Sequence, residues 1–513
     1  MRQTPWLLSA AVFVGCGGSG SNPAAPVDGG ALDETGLDGA APQDGGADAP
    51  QDATSLDAAL DAGGVDAGPI AAATITVDPA TKLGTIGPGY VGLSYEKSKL
   101  QQGFFRGDNA ALVAMLQLLG PSLLRIGGNS VDETVWQTFD AGAPAPDAAA
   151  PTTITTSDVD GLAALAKAAG WKVLYGVNMK LSSPSVADSE ATYAAGSLGG
   201  ALYGFEIGNE CDLYTTVASS PGAWTYTAFK DDWEQFASAI HAGVPGAPMT
   251  GPASASHYAT WTVPFAADEA KAIQLLTQHY YVANGQNATS TIALLLQPDP
   301  ALVTELQALS AAATSSAIPD HYRLSECNSF YNGGAPSVSD AYGTALWAID
   351  FLFTNVRYGS TGANFHGGGD GTGYTPIADE NGSVVGARPI FYGMLLFAKA
   401  GQGSMLETTG GPSMLDFSSY AVGAGAQTSV VLSNKDTTTT VHATVDVGAA
   451  ITSAGTTRLA GPSLSATTGV TLGGAVIGAD GSWSPAAPEV LATSGSTFTV
   501  DVPPASAVLV VAK

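Results

Sequence analysis

Three cysteines in 513 residues leave no disulfide framework to hold a small core together. Positive charge is also scarce. Eighteen Lys and Arg stand against 45 Asp and Glu, a formal net charge of -27. That balance repels nucleic acid and anionic membrane surfaces, so neither is expected as a partner. It also disfavours an extended basic groove for gripping long polyanions. After the N-terminal stretch, no apolar run is long and uninterrupted enough to cross a bilayer as a helix. Aromatic clusters that would suggest a separate carbohydrate-binding face are missing from the C-terminal third. What remains is a chain 45% apolar, long enough for two or three domains and a large core.

The first 70 residues differ from the rest. Arg2 and the apolar run Trp6 to Val14 read as a signal sequence over residues 1–15. Val14-Gly15-Cys16 resembles a bacterial lipobox in which Cys16 is lipidated, with Phe13 where Leu is usual; the alternative is an ordinary secretory signal. Either reading exports the protein, to a bacterial envelope or surface or into the medium. Residues 16–70 are rich in Gly, Ala, Pro and Asp and have almost nothing to bury. Ten acids and one base in residues 1–70 fit a self-repelling tether, and no Asp-Gly stretch there has calcium-loop spacing.

From residue 87 to 400, strand-like and helical runs alternate. Strands are expected at 90–96, 122–128, 172–178, 201–208, 248–254, 275–282, 321–326 and 363–367. Helices are expected at 109–119, 157–169, 186–198, 226–242, 263–273, 300–313, 339–358 and 389–400. Eight strand–helix units over roughly 310 residues have the size of a (β/α)8 TIM barrel, an α/β fold. Residues 401–513 are short Val/Thr/Ser alternations cut by Gly and Pro, which read as an appended β-sandwich. The isolated strand within 71–86 needs a sheet and is expected to join it.

Two of the predicted strands end in carboxyls. Phe205-Glu206-Ile207-Gly208-Asn209-Glu210 places Glu210 at the end of strand four; Tyr322-Arg323-Leu324-Ser325-Glu326 places Glu326 at the end of strand seven. In a barrel both ends lie on the C-terminal face, where such folds do their chemistry. Two facing carboxyls are what glycosidic bond cleavage requires.

Several stretches resemble glycoside hydrolase family 79, the β-glucuronidase and heparanase family, within the retaining barrel glycosidases. They are Gly92-Leu93-Ser94-Tyr95-Glu96, Leu124-Arg125-Ile126-Gly127-Gly128-Asn129, Glu206 to Glu210, Ser325 to Gly334, and Gly373-Tyr374-Thr375-Pro376. The resemblance runs from about residue 72 to the C-terminus. It implies Glu210 as acid/base and Glu326 as nucleophile, about 5–5.5 Å apart. Arg125 would support the nucleophile, or else serve in a structural ion pair. Glu96, Asn129 and Asn209 would contact sugar hydroxyls. The C6 carboxylate would be met by the backbone of Asn332 and Gly333 and by hydroxyls of Tyr331, Tyr280 and Tyr374. Asn332 stands where relatives often have Gly, and Cys211 where they often have Pro. Cys211 and Cys327 follow the two glutamates but sit on strands too far apart to pair. No cofactor is implied, and no His/Asp/Glu spacing resembles a metal site. The expected activity is that of a monomeric exo-β-glucuronidase on glucuronate-containing oligo- or polysaccharides, with or without a 4-O-methyl group. The alternatives are an endo-acting enzyme of heparanase or hyaluronidase type, a xylosidase or arabinofuranosidase, and a non-catalytic glycan-binding surface lipoprotein.

Overall fold

The computed structural model describes residues 68–137, 152–215, 217, 223–367 and 373–513. The signal sequence, Cys16 and the tether up to residue 67 lie outside them. Eight parallel strands close into a barrel in chain order, and the eighth pairs back onto the first. They are Val91–Glu96, Leu123–Gly127, Lys172–Val177, Leu202–Ile207, Met249–Ser254, Ile273–Asn284, Tyr322–Tyr331 and Ser360–Gly367. All eight fall where the sequence placed them, although strand seven runs on to Tyr331, past its expected end at Glu326. Runs such as Leu123–Gly127 are buried throughout, as a strand covered on both faces must be.

Local chemistry sets the helix starts. Asn109 caps the helix Ala110–Leu119, accepting from the Leu112 N–H. Ser183 and Asp299 do the same ahead of helices whose first residues are Pro184 and Pro300. The fifth helix is shorter than expected. Thr262–Asp268 ends there because residues from Ile273 onward are already in strand six. The seventh starts late, at Gly343, after a series of turns. Two small features had no sequence signal: a parallel pair Thr134–Gln137/Thr152–Thr155 and a hairpin Ile377–Glu380/Ser383–Ala387.

The appended domain is one curled sheet of eleven strands. Its central strand is N-terminal. Ile70–Ile86 pairs antiparallel with Gly403–Gly410 and parallel with Thr440–Asp446, so this strand begins at the last residue of the stretch read as tether. Alternate residues Ala73, Ile75 and Val77 face Val441, Val445, Phe498 and Val510 in a core of the domain's own. The sheet is fastened to the barrel by Tyr420 stacked on Phe353 at 4.3 Å. Lys435 Nζ, 2.5 Å from Asp350, adds a second tie.

Candidate active site

The barrel interior is polar at its centre. Arg125 projects inward from strand two, fully buried. Its Nε meets Oε2 of Glu206 at 2.5 Å, one Nη meets Oε2 of Glu326 at 2.7 Å, and the other meets Oδ1 of Asn209 at 2.9 Å. Ser94 Oγ accepts from the same guanidinium at 3.1 Å. Gly127 makes room for this, because a Cβ there would lie 2.4 Å from the guanidinium carbon. At Gly128, with φ +71°, a Cβ would lie 2.6 Å from the Glu96 carboxyl. The Gly-Gly step after Arg125 thus seats two charged side chains at once.

Above this layer the two expected catalytic carboxyls converge. Glu210 sits three residues beyond the end of strand four, in the left-handed region at φ +50°. Its N–H donates to Ala253 O at 2.9 Å, and its Oε1 meets His279 Nδ1 at 2.9 Å. Glu326 does not end strand seven, which continues to Tyr331. Strands six and seven run past the rim together as a ribbon, with Phe330 opposite Ala283 and Tyr331 opposite Asn284. A register shift between Leu324 and Glu326 marks a bulge at Ser325. Ligand atoms of Glu210, Glu326 and His279 all lie within 4.8 Å of one another. Among the described residues this is also the group that could hold a cation, brought together from three strands without any sequence spacing to announce it.

Burial alone would push the Glu326 carboxyl up. His366, His279 and Arg125 outweigh it, and with the Tyr281 hydroxyl they hold Glu326 down at about 2. Burial likewise disfavours the Arg125 charge, but Glu206 and Glu326 more than offset it. His366 closes the ring on the far side. Its Nδ1 lies 3.1 Å from Ser94 Oγ and 3.6 Å from Glu326 Oε2, and its Nε2 lies 3.5 Å from Glu96 Oε1.

The other expected residues divide. Asn209 donates to Asn129 at 3.2 Å, and Glu96 accepts from the Ser130 N–H at 2.8 Å, so both border the pocket. Tyr374 is buried with its ring 6.2 Å from Tyr281 and 5.8 Å from His366. Asn332 and Gly333 both have positive φ, and Gly333 O accepts from Gly373, tying that turn to the Tyr374 segment. Tyr331 stands more exposed on the ribbon, edge-on to Tyr281. Tyr280 is a correction. Its hydroxyl is bonded to Asp299 at 2.5 Å and its ring stacks on Phe351, so it faces the helices and not the pocket. Its neighbour Tyr281 donates to Glu326 Oε1 at 2.8 Å instead. Tyr281, His279, His366, Ser94 and Glu206 are the site residues the sequence reading missed. Cys211 and Cys327 are both buried free thiols.

The fold is a closed barrel of eight parallel strands with two carboxyls converging beyond its centre. No family model matches the chain. It is similar in sequence to two curated proteins named β-glucuronidase. One, from Aspergillus niger, is 26% identical over 266 residues, 45% of this chain and 47% of that protein. The other, from Neurospora crassa, is 27% identical over 232 residues, 39% and 40% of the two. The chain therefore spans about half the length of the curated relatives it matches, or less. Among solved structures, a 4-O-α-L-rhamnosyl-β-D-glucuronidase from Fusarium oxysporum 12S superposes with a TM-score of 0.72 at 19% identity, over 85% of this chain and 99% of that one. A family 51 α-L-arabinofuranosidase from Bifidobacterium longum gives 0.64 at 15%, over 86% and 99%. At these identities the superpositions show the fold alone. In sequence, then, the chain is similar to proteins named β-glucuronidase over less than half of its length, and in fold it is similar to glycoside hydrolase barrels.

Proposed function

We propose that this protein is a retaining exo-β-glucuronidase. The observation that carries the hydrolase reading is the approach of Glu210 and Glu326 within 4.8 Å. One oxygen of each within that distance fits a double displacement better than the wider spacing by which an inverting enzyme places water between its carboxyls. Glu326, held ionised, attacks the anomeric carbon while Glu210 gives its proton to the departing oxygen. A covalent glycosyl-enzyme results, and Glu210 then takes a proton from water as that water displaces Glu326. Arg125 and the Tyr281 hydroxyl hold one nucleophile oxygen each and stabilise its charge before attack.

Glucuronate as the sugar is supported by the names of the sequence relatives and by the neutral donors around Tyr374, Asn332 and Gly333. Exo action is supported by the lack of a basic cluster for a long polyanion. Export, with Cys16 as a lipid anchor, remains part of the proposal, and Cys16→Ser should release the protein from membranes.

The test is a panel of aryl glycosides: glucuronide, 4-O-methylglucuronide, glucoside, xyloside and arabinofuranoside. Turnover confined to the glucuronides is expected; turnover of the neutral glycosides alone would replace this reading with the xylosidase or arabinofuranosidase one. Glu326→Ala should lose several orders of magnitude, with azide giving partial rescue and a product of inverted configuration.

A further inference from the structure

We propose that Asp212 is a positioning residue for the acid/base: it locks the backbone turn that aims Glu210 at the leaving-group oxygen. This role rests on the reading of Glu210 as the proton donor. Glu210 is held in an unusual way. Its backbone is left-handed at φ +50°, and the carbonyl that accepts its N–H at 2.9 Å belongs to Ala253, itself left-handed at φ +55°. Neither residue is glycine, so each conformation is unfavourable by itself and must be imposed by the contacts around it. The hydrogen bond joins two strained residues without saying what holds the pair.

Asp212 supplies the hold. Its side chain is fully enclosed and reaches from the turn Cys211–Leu213 to the loop after strand five. There Oδ1 accepts from the Ala255 N–H at 2.8 Å, and Oδ2 accepts from the N–H groups of Ser256 and His257, both at 3.0 Å. His257 Nδ1 lies 3.0 Å from the same oxygen. Three consecutive backbone donors on one carboxyl bind the two loops together just beyond Glu210 on one side and just beyond Ala253 on the other. The gripped loop is tied in turn to strand six. Gln278 Nε2 donates to Ala255 O at 3.2 Å, and the next residue, His279, meets Glu210 Oε1 at 2.9 Å. The acid's backbone and its carboxyl are thus held by one ring of contacts. That ring needs an acceptor at both tips of the side chain. Asparagine offers one, and whichever way its amide turns, its NH2 faces a backbone N–H. A separate tie, from Trp224 Nε1 to Cys211 O at 2.7 Å, stays in place when Asp212 is changed.

The test is a leaving-group series on the full chain: dinitrophenyl, nitrophenyl and phenyl glucuronides with wild type, Asp212→Asn, Glu210→Gln and the double variant. Asp212→Asn should lower kcat/KM by about 10- to 100-fold for the phenyl glycoside, whose departure needs the proton, and by less than about 3-fold for the dinitrophenyl one. Added to Glu210→Gln, the same change should lower kcat/KM by less than about 3-fold on either substrate, because a residue that acts through Glu210 then has nothing left to aim. Equal slowing across the series, or losses that multiply in the double variant, would overturn the proposal and leave Asp212 a residue of stability only. Where Asp212→Asn does not fold, His257→Ala decides, since it removes one contact to Oδ2 from a half-exposed side chain. A loss confined to the phenyl glycoside then supports the proposal; no loss, or an equal one, sinks it. Turnover of xylosides and not glucuronides would end the glucuronidase reading alone, and the same series made with aryl xylosides would still decide on Asp212. If Glu210→Gln slows both ends of the series equally, the acid role is lost and the role of Asp212 with it.

Discussion

The hydroxyl of Tyr281 donates to Oε1 of Glu326 at 2.8 Å, while the Arg125 guanidinium donates to Oε2 at 2.7 Å. Each oxygen of the nucleophile therefore has its own donor, one neutral and one charged. Hydrogen bonds to a buried charged group are worth about 1.5–3 kcal/mol. Tyr281→Phe should lower kcat/KM by about 10- to 100-fold for any accepted glycoside. The sign of the pH effect follows from the same bond. Tyr281 stabilises the ionised form of Glu326, so removing it raises that pKa from about 2 and moves the acid limb of the pH–rate profile to higher pH. Tyr280→Phe is the control. It removes a bond to Asp299, the cap of helix Pro300–Ser315, and should reduce thermal stability while leaving the pH profile where it was.

That pair of tyrosines also shows what could be read before any coordinates. The barrel was legible because its eight strands are apolar runs separated by helical periodicity, and that pattern survives errors of a residue or two. Which neighbour in Tyr280-Tyr281 faces inward does not survive them, because side chains alternate and a slip of one reverses every assignment. The bulge at Ser325 introduces such a slip between strands six and seven. Glu326 and Glu210 were found because each is followed or preceded by a local motif. His279 and His366 carry no such motif. Their proximity is a consequence of barrel closure, which joins Phe365 to Leu93 and so sets His366 beside Ser94. Glu206 lies inside the Glu206-to-Glu210 motif, but a strand-interior Glu gains meaning only when Arg125 appears opposite it.

Glu210→Gln should separate the two halves of the reaction. The amide cannot donate a proton to the departing oxygen, so substrates with poor leaving groups should slow by about 100-fold or more. A dinitrophenyl glucuronide, whose leaving group needs no proton, should slow much less in the first step and accumulate glycosyl-enzyme as a burst. Equal slowing of both substrates would remove Glu210 from the acid role. Stopped-flow release of the phenol measures this directly.

Gly127→Ala tests the seat beneath Arg125. The new methyl would meet the guanidinium carbon at 2.4 Å, and the guanidinium is tied to Glu206, Glu326, Asn209 and Ser94. It can yield only by giving up some of those bonds. Overpacking of this kind costs about 1–3 kcal/mol. The expected result is a folded protein with a lowered melting temperature and kcat/KM reduced by about 10-fold or more, because the displaced cation no longer faces Glu326. Wild-type kinetics in this variant would show that Arg125 need not hold its present position.

Tyr374→Phe addresses the sugar rather than the bond. Tyr374 lies between Tyr281 and His366, and Asn328 Nδ2 donates to its backbone carbonyl at 3.0 Å, so the ring should stay in place when the hydroxyl is removed. If that hydroxyl meets the C6 carboxylate, an aryl glucuronide loses a charge-assisted hydrogen bond and the matched glucoside loses little. The glucuronide KM should then rise by about 10-fold or more, while the glucoside, however slowly it is turned over, should be nearly unaffected. A fall in kcat for both sugars with KM unchanged would point elsewhere, to support of Tyr281 and through it of Glu326. Measuring both constants for both sugars separates carboxylate recognition from nucleophile support.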